Sequence, residues 1–159
     1  MRFSSTVRSA ALAVAAVFVL ATAAYASTAT TTMTVASAVA SNCSIAAAPL
    51  SFGTYNGTAD VHASAAVTAN CTSTTQYGIT LSSANSYKLN GTGSNTTYLN
   101  YVLTQSDYST SLAGVLVAAL AATGTGANQS YTVYGKIASG QTTAQPDTYS
   151  DTVTLTVTY

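Results

Sequence analysis

Hydrophobic and polar residues alternate with a period of two along much of this chain, the pattern of strands that bury one face. Ala63, Ala65, Val67, Ala69 and Cys71 share one face of the first such segment, with Ser64, Thr68 and Asn70 on the other. Tyr77, Ile79 and Leu81 repeat the pattern, as do Leu99, Tyr101 and Leu103. Tyr131, Val133 and Ile137 follow, with Gly135 between the last two. The chain then ends on Val153, Leu155, Val157 and Tyr159, interleaved with Thr152, Thr154, Thr156 and Thr158. Branched β-carbons of Val and Thr suit such pleated surfaces.

The punctuation between these segments predicts turns. Asn56-Gly57 and Asn90-Gly91 are pairs that accept positive φ, and Gly124-Thr125-Gly126 marks a flexible link. Pro49 and Pro146 both fall between the clear strands. Short strands separated by turns predict an all-β sandwich. One stretch is open to two readings. Leu112, Val115, Leu116, Ala119 and Leu120 fall at helical spacing, yet the run is short and its β surroundings weigh against a helix; the segment Leu112–Ala122 is left undecided.

The N-terminus has the layout of a secretory signal. Arg2 and Arg8 precede an apolar stretch from Ala10 to Ala24, and Ala24-Tyr25-Ala26 is a small-x-small cleavage site. The stretch is shorter than the ~20 residues of a membrane span, and no later apolar run is long enough to cross a bilayer. We therefore expect residues 1–26 to be a signal peptide and the mature chain to begin at Ser27. Between that point and Cys43 lies a segment without charge, Gly or Pro, residues 27–42. Its odd positions read Ala29, Thr31, Met33, Val35, Ser37 and Val39, an extended pattern at a free terminus. At ~3.3 Å per residue these 16 residues span about 50 Å. A domain of this size is about 35 Å across, so the segment reaches either its own domain or a neighbour.

Composition narrows the function. Without the signal, Lys88 and Lys136 face Asp60, Asp107, Asp147 and Asp151, a net negative balance with no basic patch. Nucleic-acid affinity rests on neutralising phosphates, so a nucleic-acid partner is excluded. Charged residues make up 5% of the chain, against about 25% in an ordinary globular protein. So little charge leaves self-association nearly unopposed. Disorder does not account for the Ser/Thr richness, because hydrophobic residues reach 48% and Tyr occurs 11 times. In an oxidising compartment, Cys43 and Cys71 are expected to form a disulfide. It would close a loop of about 29 residues, worth about 3–4 kcal/mol on chain-entropy grounds.

Catalytic groupings are scarce. The chain has no Glu, His62 is its one imidazole, and no Gly-x-Ser-x-Gly elbow, EF-hand loop or phosphate-binding loop appears. His62 reads as a loop or surface residue ahead of the next strand. Asp147 and Asp151 read as turn or capping residues in preference to a shared cation site. We expect no enzyme, no metal and no cofactor. Asn-x-Ser/Thr triplets at Asn42, Asn56, Asn70, Asn90, Asn95 and Asn128 follow from composition. Tyr residues stacking on sugar rings are the best case for carbohydrate binding, though ordinary strand packing accounts for them better.

Several local patterns combine in order. Cys43-Ser44-Ile45 follows the alternating tail, and Leu50-Ser51-Phe52-Gly53-Thr54-Tyr55 precedes the strand ending at Cys71. Leu99-Asn100-Tyr101, Tyr131-Thr132-Val133-Tyr134-Gly135 and Tyr149-Ser150-Asp151 come next, before the C-terminal strand. Taken together, the chain resembles the spore coat U domain family, which includes the subunits of archaic, Csu-type chaperone–usher pili. The resemblance spans residues 43–159 as the domain and 27–42 as an N-terminal extension. It implies an incomplete immunoglobulin-like β-sandwich completed by donor-strand complementation. It implies Met33, Val35 and Val39 as donor-strand residues, with Val39 alternatively in the domain's own first strand. Val153, Leu155, Val157 and Tyr159 become the strand with which a chaperone pairs. The partners implied are identical or related pilin subunits, a periplasmic chaperone and an outer-membrane usher. The implied location is the cell surface, reached through the periplasm, and the implied role is adhesion and biofilm formation. Alternative readings are a structural protein of a spore or cell coat, and a secreted carbohydrate-binding module.

Overall fold

Ten β-strands make up the regular structure of residues 26–159, which the computed structural model describes. The expected signal peptide lies, but for Ala26, outside the described residues. Strand β1 (Cys43–Ala47) pairs antiparallel with β2 (Val61–Cys71), and β2 pairs along its length with β8 (Asn128–Ile137). β6 (Val102–Thr104) completes this sheet in the order β1-β2-β8-β6. A second sheet has the order β10-β3-β7, from β3 (Gln76–Ser83), β7 (Val115–Thr123) and β10 (Val153–Thr158). A third, small sheet joins β4 (Lys88–Gly91), β5 (Tyr98–Asn100) and β9 (Tyr149–Ser150), with β4 in the middle.

The two larger sheets face each other across a core drawn from both. Val67, Val133, Leu103 and Ile137 of the first sheet and Leu81 of the second are buried together with Tyr101. Alternation decides this burial: in β2 the odd-numbered residues turn inward and become steadily more buried toward Cys71. The Tyr77 and Tyr131 hydroxyls meet at 2.6 Å and tie β3 to β8 across the sandwich. Burial, then the hydrogen bond with Tyr131, pushes the Tyr77 hydroxyl up to about 12. Gly135 is required where it stands, because a β-carbon there would lie 2.8 Å from the Phe52 ring. The architecture is all-β and immunoglobulin-like, as the alternation and the resemblance imply. Residues Ala38–Tyr159 belong to one compact unit.

One expectation changes and two open readings resolve. The segment around Leu112–Ala122 is largely strand: β7 pairs with β3, with irregular register between Tyr77 and Thr80. Its helical spacing comes from the bulge, where Leu120 takes φ 56° and the run departs from a period of two. Asn90-Gly91 is not a turn, since Asn90 is paired on one side with Tyr98 and on the other with Ser150. Neighbouring strands on both sides override the local turn preference. His62 is a surface residue as expected, but it lies within β2, opposite Lys136, and not in a loop. Gly124-Thr125-Gly126 does link β7 to β8, with φ 77° at Gly126.

Candidate groove between two sheet edges

The two sheets close on each other unevenly. β1 is bonded only to β2 and β10 only to β3, so each is an edge strand of its sheet. They come near each other at the side of the sandwich. Where they diverge, a groove of about 440 Å³ opens into the core. One wall is Ala47, Leu50 and Phe52, the other Val153 and Leu155, with Val67 and Val133 in the floor. Small side chains at Ala47, Ala48 and Ala65 leave the space unfilled. An edge strand presents a row of unpaired N–H and C=O groups. The groove therefore offers a backbone ladder on each side and an apolar floor between.

One acid stands in this lining. Asp151 precedes β10 and accepts four hydrogen bonds. Ser83 Oγ and Tyr101 Oη donate to its Oδ2 at 2.5 and 2.7 Å. The backbone N–H groups of Thr152 and Asn85 donate to its Oδ1 at 2.7 and 3.2 Å. Burial disfavours its charge, but the hydrogen bonds from Ser83, Tyr101, Thr152 and Asn85 outweigh that and hold the carboxyl below its ordinary value. Burial and the neighbouring carboxylate push the Tyr101 hydroxyl far up. Tyr101 also packs against Phe52 and Tyr87, with ring centroids 5.9 and 5.8 Å away. The cluster fixes the turn after β3 and the start of β10 to one another. Ser83 Oγ holds that turn as well, accepting the Tyr87 N–H at 2.6 Å.

At the opposite end of the groove β1 is tied to its sheet neighbour β2. Cys43 and Cys71 sit opposite each other in the β1–β2 register and are joined in a disulfide. Cys43, Ile45, Leu155 and Val157 pack there against the fully buried Ala69, Cys71, Tyr77 and Ile79. Val153, Leu155 and Val157 thus face inward in alternation with exposed threonines, while Tyr159 is exposed beyond the end of β10. Met33 and Val35 lie in a segment, residues 26–37, that is exposed throughout and has no strand pairing. Val39 is 88% exposed and precedes β1, so it is not part of the domain's first strand.

The chemistry-bearing residues are dispersed. His62 is exposed and stacks on Tyr108 at 4.3 Å between centroids. Asp147 accepts hydrogen bonds from the N–H groups of Gly93 and Thr148 and from the Asn95 amide, a turn-fixing role. Asp60 pairs with Lys136 at 3.6 Å and accepts the Ser139 N–H at 2.8 Å. Among the described residues no three His, Cys, Asp or Glu side chains gather as metal ligands, and no helix is long and apolar enough to cross a membrane. Sequence reasoning missed the polar end of the groove. Asp151 was visible in Tyr149-Ser150-Asp151, but its partners Ser83 and Tyr101 are 68 and 50 residues away.

Comparison with curated protein sequences finds no match. The Spore Coat Protein U domain matches residues 29–156, which takes in β1 to β9, the first four residues of β10, and most of the exposed N-terminal segment. The chain belongs to the Spore Coat Protein U domain family.

Proposed function

We propose that this chain is a structural subunit of a chaperone–usher surface pilus, polymerising by donor-strand exchange and supporting adhesion and biofilm formation. The supporting observation is the groove: two edge strands flank an apolar opening into the core. Exposed edges and an open core favour association with another chain. A strand laid between β1 and β10 satisfies both ladders and fills the floor with every second side chain. A periplasmic chaperone lends that strand first, and the tail of the next subunit replaces it at an outer-membrane usher.

The donor is the segment that signal cleavage leaves at the N-terminus. Met33 and Val35 are 83% and 82% exposed and stand two residues apart, on one face of an extended strand. Burying each contributes about 1.5–3 kcal/mol, so a few anchors plus the ladder make a durable joint. Deleting Ser27–Val35 tests the reading. The variant, expressed with the chaperone and usher, should accumulate as chaperone-bound monomer and form no polymer on unboiled denaturing gels. Fibres of ordinary length from this deletion would overturn the proposal.

A further inference from the structure

Asp151 is the one charged side chain in an otherwise neutral groove. Its two oxygens offer about four lone-pair sites, and all four are taken, by Ser83, Tyr101, Asn85 and Thr152. The carboxylate has no capacity left to bind a donor group from an incoming strand. Its charge remains, in a part-buried setting where another charge interacts more strongly than in water.

We propose that Asp151 determines specificity in the groove by charge, rejecting strands whose inward face carries a carboxylate and admitting the neutral tail of a second copy. This rests on the reading that the groove accepts a strand. The tail fits the requirement: residues 27–37 hold no charged side chain. On the face containing Met33 and Val35, the next residues outward are Thr31 and Ser37. Seating Met33 and Val35 over the apolar floor brings one of the two hydroxyl residues toward Asp151, roughly 6.6 Å further along the strand. Which one arrives depends on the direction in which the strand runs. A neutral residue flanks the apolar pair on both sides, so either direction meets the condition.

The experiment uses the full chain with substitutions in its tail: Thr31→Asp, Thr31→Lys, Ser37→Asp and Ser37→Lys. Both positions are exposed, so the domain itself is left undisturbed. Polymer yield is read on unboiled denaturing gels. At one of the two positions, Asp should lower the yield more than Lys, by a factor on the order of tenfold. In an Asp151→Asn background that gap should close. Asp151 also holds the start of β10, so Asp151→Asn risks misfolding; salt supplies an independent reading with Asp151 intact. Raising NaCl from about 50 mM to about 1 M should narrow the gap, because Asp151 is part-exposed and screening reaches it. Equal losses for Asp and Lys at both positions, or a gap indifferent to salt and to Asp151→Asn, overturn the inference. Leu155→Asp, which puts a charge into the groove wall, separates the two failures. Polymers that survive Leu155→Asp sink strand acceptance itself; polymers lost there without an Asp/Lys gap sink only the role of Asp151.

Discussion

The two ends of the sandwich are built from the same alternating strands and finish differently. At the disulfide end, Ala69, Cys71, Tyr77 and Ile79 are wholly removed from solvent. The Gly124 turn presses so closely on Cys71 that a β-carbon at Gly124 would meet its side chain at 2.8 Å. At the groove end, Leu103 and Tyr101 keep 5–7% of their surface and border an opening of about 440 Å³. Large inward residues from both sheets close one end, where a disulfide also ties β1 to β2. Ala47, Ala48 and Ala65 leave the other open, beside the hydrogen-bonded carboxylate of Asp151. The gap between two sheets is thus sealed by the size of the side chains that meet across it, not by alternation alone.

This contrast can be broken from either side. The largest effect is expected from Ile79→Ala at the closed end, a cost of about 2–5 kcal/mol from lost burial and a cavity the rigid surroundings cannot fill. Its counterpart Val153→Ala, part-buried in the groove wall, should cost the isolated subunit under about 1 kcal/mol. Urea midpoints of the two variants make the comparison, and equal costs would show that the groove is closed in solution. Cys43→Ser should cost about 3 kcal/mol, through freedom regained by the unfolded chain. A loss well below this, measured in the same way, would mean that the unfolded chain gains little freedom without the β1–β2 link.

A third, smaller effect belongs to the groove end and depends on pH. The folded-state pKa of Asp151 lies below its ordinary value of 3.8. Its contribution to stability is therefore fully present above that value and is lost as pH falls through the depressed folded one. Asp60 and Asp107, held low chiefly by hydrogen bonds from Ser139 and from Thr110, add to the same acid limb. Asp151→Asn should remove its own share, giving a shallower loss of stability below about pH 4. An acid limb of unchanged slope would show that the four hydrogen bonds do not favour the ionised form.

Much of the fold was legible because alternation is a local property. The inward faces of β2, β3, β8 and β10 follow from side chains two residues apart, whatever the strands pair with. Local signals failed where non-local pairing outweighed them. Asn90-Gly91 has turn chemistry but lies between two neighbouring strands. The apolar stretch through Leu120 lost its period of two to a bulge over Gly78, whose missing side chain leaves room for Ala118 and Ala119.

The sequence by itself determined that this protein is all-β, which faces of its strands turn inward, that two cysteines are available to pair, and that an uncharged alternating segment precedes the domain. Each rests on residue type and spacing, which the chain carries before it folds. Only the tertiary structure decided which strands are left at the edges, and hence where the groove lies. It alone placed Asp151 within reach of Ser83 and Tyr101 and left that carboxylate in an apolar lining. An edge is defined by the absence of a neighbour, and a hydrogen-bonded carboxylate by partners far away in the chain. Both are properties of three-dimensional arrangement, which periodicity does not encode.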